Sequence, residues 1–111
     1  MPKLDLVSTY EAHLILGVER SRLARWLKQN QEGKSSIAEP VARVAAGPIW
    51  LRSQIEAKLR ELARDAGVND KNGELDRWAA ERSLARAESL GLDPKALEEI
   101  IRRPVRVPRK K

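Results

Sequence analysis

The chain has no cysteine and no phenylalanine, and only one histidine, one methionine and one tyrosine. Without cysteine there are no disulfides, thiolate metal sites or thiol nucleophiles. With His13 as the only histidine, every multi-histidine metal site is excluded and only one residue could serve a Ser-His-Asp arrangement. No partner spacing for such a triad accompanies it. Aromatics make up only 4% of the chain, so leucine and alanine carry the apolar content, which favours helices. No apolar run approaches the ~20 residues of a membrane helix. The opening MPKLDLVS has no signal-peptide apolar region, which sets a cytoplasmic, nucleoid-associated location as the expectation. There is no phosphate-cradling glycine loop. The stretch 70–76, DKNGELD, has its glycine fourth from Asp70 rather than sixth, so it reads as a turn and not as a calcium loop. No cofactor is expected, and no constellation supports an enzyme.

What the chain does have is charge, unevenly placed. Its 111 residues hold 22 Lys+Arg and 16 Asp+Glu, a net charge of +6. Residues 1–64 carry +4, residues 65–101 carry −4, and residues 102–111 carry +6. A basic, acidic, basic succession suggests three parts with different partners.

Local signals divide the chain further. Ser8 and Glu11 form a capping-box pattern, followed by Tyr10, Leu14, Ile15 and Leu16 at helical spacing. Gly17 ends that helix in a left-handed turn, with Val18 packed behind it. A second helix spans about Glu19 to Lys28, with Leu23, Trp26 and Leu27 inward. Its outer face holds Arg20, Arg22, Arg25 and Lys28, with no acid after Glu19. The polar stretch QNQEGKSS ends it. Val41 and Val44, the residues 45–48 and then Ile49, Trp50 and Leu51 read as a short hairpin. Ser53 and Glu56 suggest a second capping box, opening a helix with Ile55, Leu59 and Leu62 inward to about Ala63. Residues 64–73 are turn chemistry and read as a linker. A long helix follows from Glu74 to Leu90, with Ala80, Leu84, Ala87 and Leu90 as a narrow stripe and Leu75 and Trp78 near its start. Gly91 stops it. Asp93 caps a last helix with Pro94 in its first turn and Ala96, Leu97, Ile100 and Ile101 as its apolar face.

The stretch EAHLILGVERSRLARWLK resembles the helix-turn-helix of MerR-like and excisionase-type winged DNA-binding domains. The continuation PVARVAAGPIWLRSQIEAKLREL is similar to their wing and the helix behind it. The likeness covers about residues 6–63. It implies a mainly α fold: a winged helix-turn-helix head with a short β-hairpin wing, followed here by a C-terminal helical segment (74–101) and a basic tail (102–111). The wing is implied to meet the adjacent DNA backbone or minor groove. One departure is His13, where these families usually have a small residue that lets two helices pack closely. His13 is therefore expected to point outward or to loosen that packing, as a surface or partly buried polar residue.

The residues support a DNA reading on their own chemistry. Arginine pairs bidentately with guanine, worth ~1–3 kcal/mol of discrimination. Arg20, Ser21, Arg22 and Arg25 are the expected base contacts, and Lys28 a phosphate contact. Ser8 and Thr9 sit at a helix N-terminus and are candidate phosphate donors. Lys34 and Arg43 belong to the loop and hairpin of the wing. Trp26 and Trp50 read as core anchors rather than stacking platforms.

The tail residues Arg102, Arg103, Arg106, Arg109, Lys110 and Lys111 have three readings: a solubility element, a nonspecific DNA arm, or a strand docking on the acidic segment. The presence of a DNA-binding head favours the arm.

Leu75, Trp78, Ala80, Leu84, Ala87, Leu90, Leu97, Ile100 and Ile101 form a seam too narrow for its own core. It must bury against the head, a second copy in a homodimer or cooperative assembly on DNA, or another protein. The expected function is sequence-specific binding of double-stranded DNA, as a transcriptional regulator, a repressor, of phage or mobile-element origin. An excisionase-like factor that bends DNA for a recombinase is one alternative, although excisionases are generally little more than the head. The other is an antitoxin-like adaptor whose acidic C-terminal helices clasp a basic partner.

Overall fold

A computed structural model describes residues 5–34, 36–45, 47–69, 71 and 73–102. The order of elements is β1 (Leu6–Ser8), α1 (Thr9–Leu16), α2 (Arg20–Gln31), β2 (Ala42–Val44), β3 (Gly47–Leu51), α3 (Arg52–Asp65), α4 (Glu74–Ser89) and α5 (Pro94–Ile101). The protein is mainly helical with a small antiparallel sheet of order β1-β3-β2. No helix among the described residues is long and apolar enough to cross a membrane.

The local start and stop signals act as their chemistry requires. Ser8 Oγ accepts from the Glu11 N–H at 3.3 Å, and Glu11 Oε1 accepts from the Ser8 N–H at 3.2 Å, closing the capping box of α1. Asp93 Oδ1 accepts from the Ala96 N–H at 2.7 Å at the start of α5. Gly17 lies at φ 65 and ends α1. The hairpin forms, with Ala42 opposite Ile49 and Val44 opposite Gly47. Its second strand begins at Gly47, so Gly47 and Pro48 belong to β3 rather than to the turn.

Three features depart from expectation. First, the approach to α1 is itself a strand: Val7 pairs with Trp50 and is fully buried. Second, α3 begins at Arg52, directly off β3, and the Ser53–Glu56 box does not form. Gln54 Oε1 instead accepts from the Leu51 N–H at 2.9 Å, and Glu56 is held by Arg52 Nε at 3.1 Å. The strand carries the chain into the helix two residues early, so the residue that reaches back is Gln54.

Third, α4 is rotated relative to the stripe expected of it. Ala79, Ser83 and Ala87 are its buried residues, while Leu90 is 43% exposed. Ala80 and Leu84 flank that line, half-buried, and Leu75 and Trp78 are half-buried as well. The inward side chains are small, which lets α4 approach α1 closely. Ser83 Oγ donates to the Ile15 carbonyl at 3.3 Å, so a polar residue sits in the seam with its hydrogen bond satisfied. Ala87, Leu97 and Ile101 join the same core as Leu14, Leu23, Trp50 and Ile55. Segment 74–101 is thus buried against the head, and these three residues are not available to a partner.

The closest approach is at Gly17. A Cβ there would lie 2.6 Å from Arg82 Cβ and 2.8 Å from the Arg82 carbonyl oxygen. Gly17→Ala therefore combines left-handed strain with a clash against backbone, and should destabilise the protein by about 2–4 kcal/mol. Gly91 has a similar φ, 76, with nothing within 4 Å of its Cβ direction. Gly91→Ala should cost only the strain, about 1 kcal/mol. Urea unfolding of both variants checks the difference; equal losses would mean that α4 does not press on the turn.

Candidate nucleic-acid interface

Two helices joined by a three-residue turn, Gly17 to Glu19, form the centre of the candidate site. Gly17 supplies the left-handed conformation, and buried Val18 fills the angle between the helices. Glu19 starts α2 with its backbone carbonyl, which accepts from Arg22 and Leu23. Leu23 and Trp26 then fix α2 to the core from one side. The opposite side presents Arg20, Ser21, Arg22, Arg25 and Lys28, all exposed. No acidic residue occurs between Glu19 and Glu32. Ser21 Oγ donates to Glu19 Oε2 at 3.3 Å, a bond on the surface that water can replace.

The helix runs three residues past Lys28, to Gln31, so part of the polar stretch expected to end it is helical. The reason is a clamp. Asn30 Oδ1 accepts from the Ser36 and Ile37 N–H groups at 2.8 and 3.2 Å, and its Nδ2 donates to the Ile37 carbonyl. Ile37 is buried as a result. Trp50 Nε1 donates to the Ala38 carbonyl at 2.8 Å, pinning the next residue to the sheet. The loop between α2 and the hairpin is therefore held at both ends. Neither Asn30 nor Ile37 stands out in the sequence; an amide followed seven residues later by an isolated isoleucine is the only signal.

The hairpin projects beyond this clamp. All three residues of β2 are exposed, including Arg43, and so is Lys34. Thr9 Oγ1 lies 3.7 Å from the Cβ direction of Gly47, which places the start of α1 beside the turn end of the hairpin. Ser8 does not share that freedom. Its hydroxyl is engaged with Glu11 as acceptor, and as donor at 3.4 Å, so it is a helix cap and not a free phosphate donor.

The tail expectation changes at its first residue. Arg102 closes α5 in a left-handed conformation, φ 53, and its Nη2 meets Asp5 Oδ1 at 2.6 Å and Glu11 Oε2 at 3.6 Å. It also donates to the Leu6 carbonyl at 3.2 Å. Arg102 therefore ties α5 to β1 rather than serving as the first residue of a DNA arm. Arg103, Arg106, Arg109, Lys110 and Lys111 lie outside the described residues.

Two basic residues of the turn region come from α4 and were not anticipated there. Arg82 donates from Nε to the Leu16 carbonyl at 3.2 Å and from Nη2 to the Gly17 carbonyl at 3.4 Å, capping the C-terminus of α1. Its guanidinium sits 4.8 Å over the Trp78 ring. Arg86 donates from Nε to His13 Nδ1 at 3.2 Å. Burial, and next the charge of Arg22, push Arg82 below its ordinary value.

His13 contradicts both expectations set for it. It is fully buried, edge-on to Tyr10 with ring centroids 5.3 Å apart, and the packing closes around it. The Arg86 bond requires an unprotonated Nδ1, so the neutral ring carries its proton on Nε2. Nε2 makes no hydrogen bond of ordinary geometry. Burial first, then the charges of Arg86 and Arg20, hold His13 down from 6.5 to about 4, against a small opposing effect of the Val18 backbone.

Comparison of the chain with protein-family models, with curated proteins and with solved structures found no match.

The His13 environment sets a pH dependence. Its folded-state value lies below the unfolded one, so the unfolded chain takes up the proton first as pH falls. The stabilisation is complete above pH 6.5 and is lost progressively toward pH 4. At ~1.4 kcal/mol per unit, the loss over this window amounts to about 3 kcal/mol. Denaturant unfolding between pH 7 and 5, above most carboxylate titration, should show this slope in the native protein and a flatter one in His13→Asn. Parallel pH profiles for the two would show that His13 is not buried neutral.

Proposed function

We propose that the protein binds double-stranded DNA, with α2 in the major groove and the β2–β3 hairpin against the flanking backbone. The observation that carries this reading is the acid-free outward face of α2: Arg20, Arg22, Arg25 and Lys28 are exposed on a helix whose other face is locked to the core. An α-helix with its side chains is about 10–12 Å across, and the major groove is about 12 Å wide. The helix is held at its start by the Gly17 turn and at its end by the Asn30 clamp. A reading helix must be positioned in this way, because base contacts tolerate little displacement.

Arg20, Ser21, Arg22 and Arg25 belong to the first half of α2 and are assigned to base edges. Lys28, Lys34 and Arg43 are assigned to phosphates, with Thr9 as a hydroxyl donor beside the turn end of the hairpin. These contacts position the helix without reading sequence. Occupying a site in this way is sufficient for a repressor, the role we propose, and requires no catalytic group. The adaptor alternative loses support from the burial of Ala87, Leu97 and Ile101 within the chain. Leu75, Trp78, Ala80, Leu84 and Ile100, half-buried, and Leu90, exposed, are what remains of that seam for any second copy.

Arg22→Ala and Arg25→Ala should each weaken binding to a duplex selected from random DNA by about 1–3 kcal/mol and relax the preference at one base pair. Fluorescence anisotropy at ~150 mM salt reads the affinity, where surface charges are already screened beyond ~8 Å. Arg22 lies over the Trp26 ring at 5.3 Å, so thermal unfolding of each variant should accompany the titration. Unchanged affinity in both folded variants would remove α2 as the reading helix.

A further inference from the structure

Segment 65–101 has a net charge of −4 and would be expected to face away from a polyanion. Its local geometry is different. Arg82 is seated on the carbonyls of Leu16 and Gly17, at the turn that leads into α2. Arg86, one helical turn further along α4, reaches His13 of α1. The Arg22 charge is felt at Arg82, and the Arg20 charge at His13, so the first turn of α2 and this stretch of α4 share one electrostatic neighbourhood. Ion pairs among the described residues engage Arg52, Lys58 and Arg102, and none involves Arg20, Arg22, Arg82 or Arg86.

Four guanidinium groups from two helices thus gather around the α1–α2 turn without a neutralising carboxylate. Gathering like charges raises the free energy of the free protein and is relieved by a bound anion. Two of the four are held by other bonds. Arg82 is fixed by two carbonyls and an indole, and Arg86 by an imidazole and by Ser89 Oγ at 3.5 Å. They cannot swing into a groove to read a base. A fixed guanidinium beside the groove suits the regular line of phosphates that flanks it.

We propose that Arg82 and Arg86 of α4 form a phosphate clamp that grips the DNA backbone next to the end of α2 where bases are read. The proposal rests on the DNA reading of α2 and adds a second element to the interface. It also makes the acidic C-terminal segment part of DNA binding through the only face it turns toward the turn region. The clamp supplies affinity that does not depend on sequence.

The test is the salt dependence of duplex binding by the full chain. Each phosphate contact contributes about 0.9 to the slope of log K against log salt. Arg82→Gln with Arg86→Gln keeps an N–H donor at the Nε position, for the Leu16 carbonyl and for His13, while removing both charges. This double variant should lose about 1.8 from the slope. The loss should be equal on a selected duplex and on a scrambled one, with base preference intact. Should the double variant fail to fold, Ala85→Glu places an acid on the exposed surface between the two arginines without touching the core. It too should lower the slope. If the native protein binds the duplex and a folded variant keeps the native slope, the clamp is overturned and the α2 reading stands. If the native protein binds neither duplex, the α2 reading falls and the clamp falls with it.

Discussion

The structure depends on the burial of one short helix from every side. Ala12, His13, Leu14, Ile15 and Leu16, five successive residues of α1, are all buried. A helix of eight residues does not hold together in water on its own, since nucleation is costly and few bonds follow it. Its stability has to come from tertiary contacts. Five buried residues in sequence span the full circumference, so a single partner surface cannot cover them. α2, α3, α4, α5 and the sheet each take a share of α1. An excisionase-sized head alone would leave part of this helix exposed. α4 and α5 are therefore structural members of the same core, which explains why Ala79, Ala87, Leu97 and Ile101 do not await a partner.

That covering dictates the chemistry at the turn. For α4 to lie on the end of α1, its inward residues must be small, and Ala79, Ser83 and Ala87 are. For the α1–α2 turn to accept α4, the residue beneath Arg82 must have no side chain, and Gly17 has none. Arg82 then satisfies carbonyls that the helix end leaves open. The same close fit buries His13, with Arg86 as its hydrogen-bond donor. The arginines of α4 thus serve the fold and the surface together. Their aliphatic stems and bonds hold two helices in place, and their charge remains at the edge of the proposed interface.

What was legible in the sequence was chemistry that acts within a few residues. The Ser8–Glu11 box, the Gly17 stop, the Asp93–Pro94 start and the hairpin around Gly47 depend on near neighbours, and each forms. The outward face of α2 could be read because its inward face is strongly apolar. What was hidden depends on distant partners. β1 is three residues long and gains its strand character only by pairing with β3. Ser83 breaks an apolar count, yet it is buried because a carbonyl of α1 sits above it. His13 looked like a misfit for close packing until Arg86, 73 residues away, supplied its hydrogen bond. The Ser53–Glu56 pattern failed for a local reason: Gln54 offered an equivalent bond two residues earlier, once β3 ran straight into α3. Charge summed by segment was the least reliable guide, since a segment of −4 turns two arginines onto α1 and the Gly17 turn.

What folds this protein is separable from what its surface presents. Leu23 and Trp26 would hold α2 in place whatever lay on its far side, and the Asn30 clamp and the Gly17 turn act through backbone groups. Arg20, Arg25 and Lys28 contribute none of this. They are exposed, and no ion pair among the described residues includes them. Placing them together on one short helix costs repulsion that folding does not recover. A glutamate four residues before a lysine would have been a small gain for a helix whose only task was to stay folded. The absence of any acid along α2 is the feature that a purely structural role leaves unexplained. The DNA binding proposed for α2 would account for it.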